Sequence, residues 1–235
     1  MLAPGPFLNP LCIALDVDSK EQALRLAKDL APFAGGFKVG PRLVHRFGEE
    51  LVQSIARYAP VFVDCKFFDI PSTMVAAVRA TFEAGASACT IHAMAGEEAL
   101  DQLSDLEKEL NLIRPFRILA VTILTSWSEQ SFPKVFRAQP ICEHVSQLAD
   151  LVKASGLSSV VCSPHEIELL ADKDLFLLTP GIRMSSDPVG DQKRVMGPRE
   201  ALAKGSSCLV VGRPIIAADN PVATAKFFLA EANQT

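Results

Sequence analysis

The 235-residue sequence lacks several features, and each absence excludes a class of protein. It has no run of lysine and arginine, and its formal net charge is −4, so nucleic acid is not expected as a partner. It has no apolar stretch near the roughly 20 residues that cross a bilayer, so no membrane partner is expected either. The four histidines show no ligand spacing, which argues against a structural metal.

Paired cysteines are also absent. None of the six cysteines belongs to a C-x-x-C motif, and most lie inside apolar runs, as expected for buried reduced thiols in a cytosolic protein. The opening stretch "MLAPGPFLNP" does not have the charged-then-apolar pattern of a secretion signal. We therefore expect a cytoplasmic location.

What the sequence does contain is eight short apolar runs that alternate with longer amphipathic stretches. Near-continuous apolar character favours strands that are covered on both faces, as in a parallel sheet. The predicted strands are Leu11–Val17, Gly35–Gly40, Val61–Phe68, Ala88–Ala93, Arg117–Leu124, Ser158–Ser163, Leu175–Pro180 and Cys208–Arg213. This alternation predicts an α/β fold, a (β/α)8 TIM barrel that forms a single catalytic domain over residues 1–235. The alternative, an open doubly wound sheet, usually carries a glycine-rich loop after its first strand, and "LDVDSKEQ" contains no glycine.

Polar residues collect at the carboxyl ends of these strands, where barrels of this kind carry their chemistry. Asp64 and Lys66 are two residues apart, so we expect both to share a face with Phe62, while Cys65 points towards the helices. A purely structural ion pair is the alternative, although burying such a pair seldom stabilises a fold. A further carboxylate at Asp69 and a lysine on the adjacent strand favour an active site.

The loops after the last two strands suit a phosphate group. Barrels often bind phosphate there, and "TPGIR" and "VVGRPI" supply a glycine for close backbone approach and arginines with a planar fork of donors. The long polar stretch from Gly181 to Arg194 is typical of a lid, and Gln192 within it is within plausible reach of a ligand. An ordinary surface loop is the alternative. His92, at the end of the fourth strand, is either a proton carrier or a structural hydrogen-bond partner.

Together these motifs resemble the orotidine 5′-phosphate decarboxylase family of the bacterial type. The matching stretches, in order, are "ALDVDS", "FKVG", "VDCKFFDIPST", "VTILTS", "TPGIR", "GDQKR" and "VVGRPI", from about Leu11 to Ala223. The D-x-K-x-x-D-I-P-x-T run is specific, whereas D-x-K-x-x-D alone is shared with related sugar-phosphate enzymes. The Phe67-Phe68 pair and Ser72 are small variations on the usual pattern.

The resemblance implies conversion of orotidine 5′-monophosphate to uridine 5′-monophosphate and CO2, in de novo pyrimidine biosynthesis, without a metal or an organic cofactor. It implies that Lys66 protonates C6 of the pyrimidine, that Asp64 faces the departing carboxylate and that Lys38 completes the charged array. It also implies a homodimer with shared active sites, in which Asp69 enters the partner's site. A Mg²⁺-dependent sugar-phosphate decarboxylase or hexulose-phosphate synthase is the alternative.

Further contacts follow from the same resemblance. Ribose hydroxyls are expected at Asp16 and Lys38, and at Thr73 across the dimer. The pyrimidine is expected beside Thr125 and Ser126. The full set of implied substrate-binding residues is Asp16, Lys38, Asp64, Lys66, Asp69, Ile70, Thr73, Thr125, Ser126, Arg183, Gln192, Gly212 and Arg213, the last four of which hold the phosphate.

Overall fold

The computed structural model of the chain describes residues 5–136, 139–184 and 194–233. Eight parallel strands pair in chain order and close into a barrel when the eighth pairs with the first. The strands are β1 (Leu11–Ala14), β2 (Gly36–Val39), β3 (Val61–Phe67), β4 (Ala88–His92), β5 (Arg117–Val121), β6 (Ser159–Val161), β7 (Phe176–Pro180) and β8 (Cys208–Val211). The predicted (β/α)8 barrel is therefore confirmed.

Helices follow the strands and cover the outside of the barrel. They are α1 (Lys20–Leu30), α2 (Pro41–Ala56), α3 (Pro71–Glu83), α4 (Glu97–Asn111), α5 (Ile141–Ala154), α6 (Ile167–Leu170), α7 (Pro198–Ala203), α8 (Arg213–Ile216) and α9 (Pro221–Ala232). Local sequence explains their starts: the Ser19 hydroxyl accepts a hydrogen bond from the Gln22 N–H at 3.1 Å, and proline opens α2 and α3. Among the described residues, no helix combines the length and apolar character needed to cross a membrane.

Several strands end earlier than the apolar runs suggest. β1 stops at Ala14 and β5 at Val121, yet Leu15, Val17 and Ile123 beyond them are buried. These side chains belong to the hydrophobic core between the strands and the helices, although their residues lie beyond the strand ends. Polar residues next to them are thereby carried past the strands to the mouth of the barrel.

The cysteines match the expectation of reduced, mostly buried thiols. All six are free, and Cys12, Cys89, Cys162 and Cys208 are buried, while Cys65 is half-buried against the outer core. Cys142 is exposed on α5, because its position falls on the solvent side of an amphipathic helix.

Candidate active site

One cavity of about 420 Å³ opens at the carboxyl ends of the strands. Its floor is made by apolar side chains of the barrel interior, including Phe62, Val121 and Leu178. Its walls bring together many of the residues that the sequence singled out. These are Asp16, Lys38, Asp64, Lys66, Thr125, Arg183, Gly212 and Arg213.

Four charged side chains alternate in sign along one wall. Lys38 Nζ lies 3.0 Å from Asp16 Oδ1 and 3.5 Å from Asp64 Oδ2, and Lys66 Nζ lies 2.8 Å from Asp64 Oδ1. The two central side chains, Lys38 and Asp64, are 13% and 14% exposed. The ion pair between Asp64 and Lys66 therefore exists, but as one link of an array that lines a cavity. The structure thus does not support an isolated structural pair.

Lys38 and Asp64 each favour the ionised form of the other. Burial by itself lowers the pKa of Lys38, but the carboxylates of Asp64 and Asp16 outweigh it, so the pKa is raised above 10.5. Burial likewise opposes ionisation of Asp64, yet Lys38, Lys66 and a hydrogen bond from Thr90 lower its pKa below 3.8. At neutral pH both groups are therefore charged.

Thr90 is a member of this site that sequence reasoning missed. Its hydroxyl donates to Asp64 Oδ1 at 2.9 Å and accepts from the backbone N–H of Lys66 at 2.9 Å. The residue is fully buried on β4 and lines the cavity. A threonine in the apolar run "ACTIHA" is ordinary strand sequence, so only its adjacency to β3 reveals its role.

The backbone of Lys66 departs from a regular strand. Its φ is 50°, in the left-handed region that non-glycine residues rarely adopt, and the pairing of β3 with β4 shifts register between Val63 and Phe67. Asp64 and Lys66 do reach the same cavity as Phe62, as predicted. A regular pleat does not achieve this, since the bulge re-aims the lysine. Such strain costs about 1–3 kcal/mol and is typical of functional sites.

The loops after β7 and β8 carry the predicted anion-binding residues, and β8 is the strand next to β1. Arg183 is buried and donates to the carbonyl of Ile182 at 2.8 Å, while Arg213 begins α8 at the rim. A Cβ at Gly212 would lie in ordinary contact with Ala14 Cβ at 3.4 Å and Asp16 Oδ2 at 3.5 Å, which places this glycine directly beside the charged array. Arg42, which the sequence analysis did not single out, also lines the cavity and lies 3.4 Å from Asp18.

Several predicted site residues do not line the cavity. Asp69, Ile70 and Thr73 are exposed on the segment between β3 and the first turn of α3, where Asp69 Oδ1 accepts from the Ile70 N–H at 2.7 Å. Ser126 is exposed beside Thr125. Gln192, and the predicted lid from residue 185 to residue 193, lie outside the described residues.

His92 makes the kind of contact that a structural role requires. Its Nδ1 accepts from the Met94 N–H at 3.4 Å, and its ring centroid lies 5.5 Å from that of Phe68. Burial and the nearby Lys66 charge lower its pKa, which keeps the imidazole neutral at pH 7. Within the described ranges, no group of three or more His, Cys, Asp or Glu side chains has the arrangement of a metal site.

Comparisons with known proteins give this geometry a context. Residues 9–228 match the family described as "Orotidine 5'-phosphate decarboxylase / HUMPS family". The chain is similar to orotidine 5′-phosphate decarboxylases of Parasynechococcus marenigrum (44% identical, covering 94% of this chain and 93% of the relative) and Shewanella sediminis (41%, covering 92% and 93%). A crystal structure of orotidine 5′-phosphate decarboxylase from Lactobacillus acidophilus superposes with a TM-score of 0.82 at 32% identity, covering 96% of this chain and 99% of that one.

Proposed function

The chain belongs to the orotidine 5′-phosphate decarboxylase / HUMPS family, and we propose that it converts orotidine 5′-monophosphate to uridine 5′-monophosphate and CO2. The observation that carries the proposal is the alternating array of Asp16, Lys38, Asp64 and Lys66 on the wall of a nucleotide-sized cavity. Loss of CO2 leaves an electron pair on a ring carbon that has no internal sink. An ammonium group fixed at that point is what the chemistry requires.

Lys66 is the residue proposed to meet that charge. Its ammonium is held by Asp64, and its strained backbone directs it into the cavity. It stabilises the developing carbanion and then donates the proton to C6 of the ring. Asp64 faces the departing carboxylate, and Lys38 and Asp16 bind the ribose hydroxyls.

One lysine does not supply enough stabilisation alone. A unit charge pair at ~4 Å contributes about 4 kcal/mol at an effective dielectric of 20, whereas enzymes commonly lower barriers by roughly 8–23 kcal/mol. The remainder comes from the fixed geometry of the array and from binding energy at the phosphate. Arg183, Gly212 and Arg213 are the proposed phosphate-binding residues, in the loops after β7 and β8, and Gln192 is proposed to assist them.

We further propose that two copies of the chain share their active sites. Asp69, Ile70 and Thr73 are exposed and outside the cavity of their own chain, next to the side chain of Phe68, which is 62% exposed. Large exposed apolar side chains grouped around polar ones are typical of interaction surfaces. A second copy placed on this segment would receive Asp69 and Thr73 at its own cavity.

A cytoplasmic location also fits this proposal. The six thiols are free, as is usual in a reducing compartment. The substrate proposed here is a soluble nucleotide.

The test is direct decarboxylation by metal-free protein. Purified protein is treated with EDTA and mixed with orotidine 5′-monophosphate, and the loss of orotidylate ultraviolet absorbance is followed together with release of CO2. We expect full turnover without added metal. A protein that stays inactive, or that acts on a hexulose phosphate only after Mg²⁺ is returned, would instead support the Mg²⁺-dependent members of the suprafamily.

A further inference from the structure

An ion pair outside the cavity joins three consecutive strand-end loops. Arg194 forms a salt bridge with Glu166, and the two side chains are only 11% and 4% exposed. Glu166 belongs to the short 3₁₀ helix Pro164–Glu166 after β6, and its other oxygen accepts from the backbone N–H of Ser163 at 2.7 Å. Neither Arg194 nor Glu166 lines the cavity.

Arg194 is itself attached to the loop that follows β7. Two backbone hydrogen bonds join its neighbourhood to the end of that strand: Arg183 N–H to the carbonyl of Met196 at 3.0 Å, and Met196 N–H to the carbonyl of Gly181 at 3.4 Å. Ile182 and Met196 form an isolated parallel bridge at this point. Arg183, a proposed phosphate ligand, therefore shares a fixed backbone frame with Arg194.

The guanidinium of Arg194 also reaches the loop that follows β5. One nitrogen donates to the carbonyl of Leu124 at 3.3 Å. Leu124 and Thr125 both line the cavity, on the side where we place the pyrimidine. A single side chain therefore contacts the loops after β5 and β6 from a frame fixed to β7.

A buried ion pair is weak evidence for stabilisation, because desolvating two charges offsets most of their attraction. Its geometry here instead suits the alignment of two loops, since a planar guanidinium holds several acceptors in fixed directions. We propose that Arg194 and Glu166 are positioning residues that couple the phosphate side of the cavity to its pyrimidine side. This inference rests on the proposed function, because it concerns how one nucleotide is held at both ends.

The test compares two substrates that differ only in the phosphate: orotidine 5′-monophosphate and its nucleoside, orotidine. Glu166→Gln, Arg194→Gln and the double variant are compared with the wild type. If the pair couples the two sides, kcat/KM for the nucleotide falls about 10-fold or more, within the usual range of coupling between sites. The value for the nucleoside changes little, since the nucleoside never engages the phosphate side.

Stability is separated from positioning by the double variant. Glu166→Gln alone leaves a buried cation without its partner and should lower Tm, whereas neutralising both residues should restore much of it. If the single variants fail to fold, the double variant decides the question. The matched control is Glu168→Gln, which breaks an exposed pair with Lys204 at 3.1 Å, two residues further along, and should leave both rates unchanged.

The outcomes are distinct. Equal losses for nucleotide and nucleoside, or no loss in a folded double variant, would overturn the coupling while leaving the decarboxylase proposal intact. A wild-type protein that decarboxylates neither substrate would overturn the proposed function, and this inference with it.

Discussion

The two halves of the stretch from Val61 to Thr73 differ sharply in how the chain uses them. In the first half, Asp64 and Lys66 are bonded to each other and to neighbouring strands, and they line a cavity of their own chain. In the second half, Phe68 and Ile70 are 62% and 63% exposed, and Asp69 bonds only locally among the described contacts. Under the dimer proposed above, one continuous motif serves two sites: the first half its own, the second that of a partner.

The largest effect is expected where the first half is broken. Under the proposed mechanism Lys66→Ala removes both the stabilising cation and the proton donor, so kcat should fall by at least about 10⁴-fold. The far-ultraviolet circular dichroism spectrum should not change, because the barrel does not depend on this side chain. A near-normal kcat in steady-state assays would contradict the role assigned to Lys66.

The next largest effect is expected at Asp69, in the second half of the stretch, and it separates a residue that serves its own chain from one that serves a partner. Asp69→Ala should lower kcat by roughly 10²–10³-fold, as removal of one fixed electrostatic partner commonly does. Mixing it with Lys66→Ala after unfolding and refolding together should restore about a quarter of wild-type activity, because half of the dimers are mixed and each has one intact site. Refolded mixtures that stay inactive would show that Asp69 serves its own chain.

Arg213 tests whether the site that contains Asp64 and Lys66 takes its phosphate-binding residues from the same chain. Arg213→Ala removes the charge-assisted contact proposed for the phosphate, and we expect kcat/KM to fall about 10–100-fold, with a higher KM and a lower kcat. The fractional loss should not change when the enzyme is diluted, unlike that of a residue supplied by a partner. A rise in KM alone would mean that phosphate binding does not assist the chemical step.

The smallest effect is expected at Thr90. Thr90→Val leaves the Lys66 N–H without its side-chain acceptor and removes one of the two hydrogen bonds to Asp64 Oδ1, the other coming from Lys66 Nζ, which should cost about 1–3 kcal/mol. Because the folded pKa of Asp64 lies below its unfolded value, its stabilisation is complete above pH 3.8 and is lost as pH falls through the lower, folded pKa.

Thr90→Val should raise the folded pKa of Asp64. The pH range over which Asp64 stabilises the fold should therefore begin at a higher pH than in the wild type. Thermal melting from pH 7 down to pH 2 measures it. A profile parallel to that of the wild type would contradict the contribution of Thr90 to Asp64. Ser54→Ala, at an exposed hydroxyl on α2, is a control that should not alter the pH dependence.

The sequence sufficed for the barrel because eight apolar runs separated by amphipathic helices have few other solutions. It also brought Asp16, Lys38 and Asp64 to one edge, since parallel strands end on the same side. It overextended β1 and β5 because residues such as Leu15 and Ile123 are buried in the core beyond the strand ends, and burial alone does not show where strand pairing stops.

The rest of the site could not be predicted for identifiable reasons. The period-two rule assumes a regular pleat, so the bulge and the left-handed φ of Lys66 were invisible. Thr90 matters only through its cross-strand neighbours. Glu166 and Arg194 meet because three loops converge, and no local pattern records such a meeting.

The balanced wall of two carboxylates and two ammonium groups has a consequence for turnover. Under the proposed reaction each cycle consumes one proton. Its donor, Lys66, is left neutral, so the array has one positive charge fewer until the lysine is reprotonated. Lys66 is 38% exposed whereas Lys38 is 13% exposed, so the residue that spends its proton is also the one that water can recharge. Solvent access at the Lys66 end of the array is thus the route by which the donor is reprotonated after each turnover. Lys38, which is sheltered from water, keeps its positive charge throughout the cycle.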